Sequence, residues 1–352
     1  LNLDLLKALI RCKAVTGDVD AVNRAVGLMH DYLVAQGLHC SVETMGERRV
    51  LYAATEEGRT PAVLLNAHLD VVPAPDCMFE PEERDGRLYA RGAADCQGNA
   101  LVVAEVLCGL VGKASAGAIF STDEETGGAT TACMVKRGYG AGKLVLILDA
   151  APYGIANAQK GILSLVLRAN GRGGHSSEPW SFVNPIDLLI YGYAKLRAWP
   201  ALPADHWGDT MAPCIISGGQ AFNQIPDTAQ MVLNIRFIHP GDEDRIIGMV
   251  RDVTGLEVAV ESAHSSVPVF VDESHPLMQE LQSAMQRHFT GHRVGFYRMH
   301  GATDARHMAA LGVPVAILGS EGGGAHSSGE WVCLANLEAN RSFLADFIRQ
   351  IG

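Results

Sequence analysis

Ala62-Val63-Leu64-Leu65-Asn66-Ala67-His68-Leu69-Asp70 is the stretch on which the fold turns. Residues 62–66 are an apolar run of strand length, and ionisable side chains follow directly. Outward from it, residues 50–54, 116–121 and 143–148 are runs of the same kind, and a small-residue helix over 98–110 lies between residues 62–66 and 116–121. Strands alternating with helices predict an α/β domain with a largely parallel sheet. In such sheets ligands bind beyond the carboxyl ends of the strands, so residues just past each run are the first candidates for chemistry. The first forty residues carry apolar positions at helical spacing: Leu5, Leu6, Leu9 and Ile10, then Val22, Ala25, Val26, Met29 and Leu33.

A second pattern begins near Gly161. It predicts a strand over 162–169, a helix over 185–198, strands over 212–220 and 229–238, a helix over 242–253 and a strand over 256–261, the split βαβ order of a ferredoxin-like unit. Beyond it come a helix over 276–289, a strand over 294–297, a helix over 304–311 and a strand over 315–318. The expected architecture is α/β: a mixed, largely parallel sheet flanked by helices, occupying residues 1–161 and 269–352, interrupted by a ferredoxin-like α+β insertion over 162–268.

Bulk properties narrow the function. At 352 residues the chain is long enough for two domains. Apolar residues make up 48% and charged residues 19%, with no apolar run long enough for a membrane span. The net charge of −11 and the lack of a Lys/Arg stripe argue against nucleic acid. Eight scattered cysteines without a Cys-x-x-Cys pair form neither a disulfide framework nor a thiolate zinc site, which favours a reducing, cytoplasmic setting. The chain opens on Leu-Asn-Leu-Asp, so a leader upstream stays an open question.

The strand ends carry an unusual set of ionisable residues. His68 and Asp70 share a face at i and i+2, so Asp70 can steer the imidazole. Asp95 lies in the small-residue turn Gly92-Ala93-Ala94-Asp95; Asp123, Glu124 and Glu125 follow Ser121; Asp149 follows Leu148; His326 ends Gly322-Gly323-Gly324-Ala325-His326. Taken singly, each is more often a loop cap or a solvated side chain. Together, two histidines and three carboxylates suit two borderline divalent cations, one carboxylate bridging them, with a glutamate of the 124–125 pair left over as general base.

Six motifs in this order resemble the co-catalytic zinc amidohydrolases that include aminoacylase, carboxypeptidase G, acetylornithine deacetylase and succinyl-diaminopimelate desuccinylase. They are His68-Leu69-Asp70-Val71-Val72-Pro73, Gly92-Ala93-Ala94-Asp95-Cys96-Gln97-Gly98, Asp123-Glu124-Glu125-Thr126-Gly127-Gly128, Gly171-Arg172-Gly173-Gly174-His175-Ser176-Ser177, Asn223-Gln224-Ile225-Pro226-Asp227 and Gly301-Ala302-Thr303-Asp304-Ala305-Arg306. The resemblance spans nearly the whole chain. It implies His68 and Asp149 on one metal, Glu125 and His326 on the other, Asp95 as the bridge, Glu124 as the base and Asp70 orienting His68. It also implies a cis peptide bond between Asp95 and Cys96, His175 as an oxyanion donor that acts across a homodimer formed by the insertion, and Asn223, Arg236 and Arg306 as substrate contacts. Gln97 departs from the lysine or methionine common in the family, and Cys96 reads as a small buried residue.

The reaction so implied is metal-dependent hydrolysis of an amide bond in an N-acyl amino acid or short peptide, with zinc, cobalt or manganese all compatible with the ligands. Deacylase, carboxypeptidase, dipeptidase and carbamoyl-amino-acid hydrolase are not separated by these residues. A catalytically silent, metal-binding regulatory or scaffold dimer of the same fold is the alternative from another class.

Overall fold

A computed structural model of the chain describes residues 1–197, 199 and 201–352. The chain divides into two compact units, one built from Leu1–Ala158, Phe270–Arg298 and Thr303–Gly352, the other from Gln159–Val269 and Met299–Ala302.

A nine-stranded sheet organises the first unit. Its order is His39–Met45, Arg48–Ala54, Ala116–Ser121, Val63–His68, Leu144–Leu148, Val315–Leu318, Gly154–Gln159 and Val269–Phe270, with Gly295–Met299 paired beside Gly154–Gln159. The four strands from Ala116–Ser121 to Val315–Leu318 run parallel, and their neighbours Arg48–Ala54 and Gly154–Gln159 are antiparallel to them. Every residue of these four parallel strands is buried. Both faces are therefore covered, which explains continuous apolar runs where a one-sided sheet would alternate. The helix Gln97–Leu110 is mostly buried around its circumference. It packs against the strand Val63–His68 and the C-terminal helix Leu334–Ile351. Asn2 and Asp18 cap the helices Leu3–Arg11 and Val19–Ala35 by accepting from the Leu5 and Ala21 amides.

The second unit holds a four-stranded antiparallel sheet in the order Thr210–Gly218, Thr228–Phe237, Gly161–Asn170, Glu257–Val260, with helices Pro185–Leu196 and Glu243–Thr254. Numbered along the chain that order is 2-3-1-4, which fits the ferredoxin-like arrangement. Alternate residues of Thr228–Phe237 are buried, and Leu165, Leu233, Ile235, Ile246 and Val250 form a core between sheet and helices.

Most expected elements are present within one to three residues of their expected ends. The helix expected over 185–198 ends at Leu196, and residue 198 lies outside the described residues. The helix expected over 304–311 is a short α-helix, Ala305–Met308, continued by a 3-10 turn, Ala309–Leu311. Among the elements not expected are the strands His39–Met45 and Gly154–Gln159, the helix Ala129–Lys136, the short strands Glu82–Arg84, Arg87–Tyr89 and Trp331–Cys333, and the 18-residue helix Leu334–Ile351.

Candidate active site

All four parallel strands deliver functional side chains at their carboxyl ends. Val63–His68 ends on His68, Ala116–Ser121 leads into Asp123, Glu124 and Glu125, Leu144–Leu148 into Asp149, and Val315–Leu318 into the loop that carries His326. Asp95 comes from the turn that starts the helix Gln97–Leu110, and the peptide bond from Asp95 to Cys96 is cis, as expected.

Asp95 stands between the two histidines. One carboxylate oxygen lies 3.0 Å from His68 Nε2 and the other 3.2 Å from His326 Nε2. His326 Nε2 is also 3.0 Å from Glu125 Oε2. On the far side, donor atoms of His68, Asp149 and Cys96 lie within 4.8 Å of one another, as do those of His68, Asp95 and Glu125. His68 Nδ1 donates to the Asp70 main-chain carbonyl at 2.8 Å. That bond turns Nε2 toward Asp95, and because a carboxylate oxygen can only accept, the metal-free ring donates from both nitrogens, as its raised pKa requires.

Asp70 steers by more than one route. Its fully buried carboxylate is 3.5 Å from His68 Nδ1, accepts from Thr16 Oγ1 at 2.8 Å, and receives the Glu124 and Glu125 amides at 3.2 and 3.4 Å. The His68 strand and the Glu124–Glu125 turn are thus tied to one anion. The turn is held from its other end by Asp123, which accepts from the Thr130 amide and hydroxyl, and by His307, whose Nε2 donates to the Gly127 carbonyl at 2.8 Å. Gln97 donates to the Leu69 carbonyl at 2.8 Å, between the two residues of the His68–Asp70 pair. Cys96 is fully buried, and its thiol donates to the Leu148 carbonyl at 2.9 Å.

Two residues not singled out from the sequence belong to this frame. Asp304, 1% exposed, accepts from Thr131 Oγ1 at 2.7 Å. Glu330, also 1% exposed, accepts main-chain amides of Gly92, Ala94 and Asp95 and pairs with Arg91. Each is a lone acid beside small or apolar residues in the sequence, a pattern shared with ordinary loop residues.

The electrostatics of this cluster are unfavourable for carboxylates alone. Burial, then the nearby Asp149 charge, pushes Glu124 up to about 9. Burial likewise raises Asp149 to about 8, and burial with the Asp95 charge raises Glu125. Burial also works against the charged forms of Asp70 and Asp95, yet their bonds to His68 hold both carboxyls below their ordinary value. A crowd of acids with imidazole at both ends is a donor set that fits divalent cations, which would relieve the repulsion.

Arg306, expected to contact substrate, points its Nη2 at Glu124 Oε1 and at the Glu124 carbonyl, each at 3.5 Å. His175, Asn223 and Arg236 belong to the second unit. His175 is exposed on a two-residue strand paired with Gln224, and the Asn223 carbonyl accepts the Ser176 amide. The Ser177 amide donates to His175 Nδ1 at 3.2 Å, which leaves the proton on Nε2 and makes that nitrogen a donor. Arg236, half-buried on Thr228–Phe237, donates from Nε to Asn234 Oδ1 at 3.0 Å. No helix among the described residues is long and apolar enough to cross a membrane, and all eight cysteines are unbridged.

The sequence model described as peptidase family M20/M25/M40 matches residues 64–350. The chain belongs to this family. Succinyl-diaminopimelate desuccinylase of Xylella fastidiosa (strain 9a5c) is 29% identical over 336 residues, covering 86% of each chain. A tripeptidase from Staphylococcus aureus superposes with a TM-score of 0.82 at 17% identity, covering 99% of this chain and 97% of that one. A Bacillus subtilis protein described as a dinuclear metal binding peptidase from M20 family superposes with a TM-score of 0.68 at 12% identity over 99% of both chains. This M20/M25/M40 member is accordingly a hydrolase acting on amide bonds.

Proposed function

We propose that the protein cleaves the amide bond of an N-acyl amino acid or short peptide with a pair of divalent cations, zinc first among them. The observation that carries the reading is Asp95, with one oxygen toward His68 and the other toward His326. In this assignment His68 and Asp149 would hold one cation and Glu125 and His326 the other, with Asp95 as the ligand shared between them. When bound, such cations lower the pKa of water toward neutrality and polarise a carbonyl.

The chain's own groups do the rest. Glu124 accepts the proton of the attacking water and returns it to the leaving nitrogen. Its amide is bonded to Asp70 and its carboxylate lies beside Arg306, so its position is set from both ends. His175, whose Nδ1 accepts from the Ser177 amide, presents an Nε2–H donor suited to a developing oxyanion. Arg236 and Arg306 offer forked cations for a substrate carboxylate, with Asn223 as a neutral partner. The second unit carries an exposed apolar set, Trp180, Tyr191, Ile215, Ile216 and Phe222, with Ile215 and Ile216 on the strand that ends its sheet. That supports pairing of two copies through this unit, the arrangement in which His175 would serve the partner's site.

The test is a hydrolysis screen of N-succinyl, N-acetyl and N-carbamoyl amino acids and dipeptides on metal-stripped protein, with and without zinc, cobalt or manganese. Metal-restored release of an amino acid is the expected result. Two bound cations with silence across the panel would shift the assignment to a non-catalytic, metal-binding dimer.

A further inference from the structure

Glu330 has no part in the chemistry just described, yet it is bonded more heavily than any ligand. Its side chain is fully buried. Oε1 accepts the Ala94 and Asp95 amides at 3.0 Å each, and Oε2 accepts the Gly92 amide at 3.1 Å together with Arg91 Nη1. A carboxylate has about four acceptor sites, and here they are filled by donors from one five-residue turn. Three converging amides make an anion cradle, and Glu330 supplies its anion from elsewhere in the chain.

The connection runs both ways. The Ala90 amide donates to the Glu330 carbonyl at 3.2 Å, and Arg91 Nη2 donates to the Ser327 carbonyl at 3.2 Å, one residue beyond His326. Asp95 is therefore held through its own amide by Glu330 while its carboxylate faces both histidines. His326 is half exposed and sits at a left-handed backbone position, so packing does little to fix it. The clamp of Glu330 and Arg91 supplies that restraint.

We propose that Glu330 is a positioning residue that sets the spacing between Asp95 and His326, and through it the affinity for the cation pair. This rests on the cation reading above. A buried ion pair kept only for stability would give a different result: its loss would lower the melting temperature and leave the binding constant of the folded protein unchanged.

The experiment is a Co²⁺ titration of metal-stripped wild type, Glu330→Gln and Leu344→Ala, followed by visible absorption and calorimetry well below each melting temperature. Leu344 lies in the buried face of the C-terminal helix as part of the apolar core and carries no polar group, so Leu344→Ala is the control for lost stability alone. Glu330→Gln keeps the shape but turns an amide N–H toward donors. Its Co²⁺ affinity should fall about 10–100-fold, the usual effect of removing a group that orients metal ligands, while Leu344→Ala binds as wild type. Folded Glu330→Gln that binds within about twofold of wild type, or equal weakening in Leu344→Ala, overturns the proposal. Should Glu330→Gln fail to fold by circular dichroism, Glu330→Asp, which keeps the charge but retracts it by one methylene, is judged by the same two criteria. Wild type that takes up no Co²⁺ overturns the cation reading itself, whereas wild type with two ions and an unaffected variant overturns only the role of Glu330.

Discussion

Glu124 carries the highest of the raised carboxyl pKa values in the cluster, about 9, because burial and the neighbouring Asp149 both oppose its charge. A base in this position should matter for turnover far more than for assembly. Glu124→Gln preserves the amide bond to Asp70 and the size of the side chain, so metal content should be unchanged while kcat falls on the order of 10²–10⁴. Near-normal turnover in steady-state kinetics would remove Glu124 from the mechanism. Gly128 tests the turn that presents it. Its φ is +68°, and a Cβ there would stand 2.1 Å from Asp304 Oδ1. Gly128→Ala should cost roughly 1–3 kcal/mol, read as a shift in the denaturant midpoint, with loss of activity as the 124–128 turn moves. An unshifted midpoint would mean that Asp304 can give way.

Among the elements, the C-terminal helix Leu334–Ile351 is the plainest case of structure that was hard to see in advance. Its apolar positions are interleaved with Glu338, Arg341, Asp346 and Arg349, and it has no side-chain cap to announce its start at Cys333. Yet it packs against Gln97–Leu110 and buries Phe343, Leu344 and Phe347. Phe347→Ala should destabilise by about 3–5 kcal/mol, measured by urea unfolding of the metal-free protein. The buried parallel strands were legible because burial on both faces makes them continuous apolar runs. The strand His39–Met45 has only exposed and half-buried positions and gives no such run. At the site the same contrast holds. His68, Asp95, Glu125, Asp149 and His326 stood out as candidates because strand ends and small-residue turns carry few other ionisable groups, and the structure brings their side chains together. Glu330 acts through buried contacts to backbone that depend on tertiary pairing and leave no local pattern, and Asp304, although it lies in the Gly301–Arg306 motif, owes its bond to Thr131 to the same kind of pairing.

At the scale of the molecule, the raised carboxyls make a prediction about pH. In the metal-free native state Glu124 and Asp149 hold protons up to about 9 and 8, whereas in the unfolded chain they release them near pH 4. The folded state binds more protons across that window, so stability from these groups is greatest at its acid end and is lost as pH rises through 8 to 9. His68, whose charge burial opposes but Cys96, Asp70 and Asp95 favour, is held well above its ordinary value and contributes in the same direction. His307, lowered by burial, works the other way but is outnumbered by these groups together with Glu125, Asp123 and Glu330, which burial also raises. The melting temperature of stripped protein should fall between about pH 5.5 and 8.5, and added zinc should cancel the decline by displacing the protons. A flat profile without metal would show that the acids are not crowded in solution. Size exclusion of the whole chain checks the pairing of second units, with elution as a dimer expected and elution as a monomer counting against His175 acting across subunits.

The division of the chain also sets an order of assembly during synthesis. The second unit is almost one uninterrupted segment, Gln159–Val269, while the first is split, and the helix that closes its core begins only at Leu334. The unit that starts first must therefore finish last on the ribosome, reversing the usual N-terminal-first sequence. His326 and Glu330 emerge just ahead of that closing helix, so a nascent chain carries His68, Asp95 and Asp149 long before it can assemble the complete site.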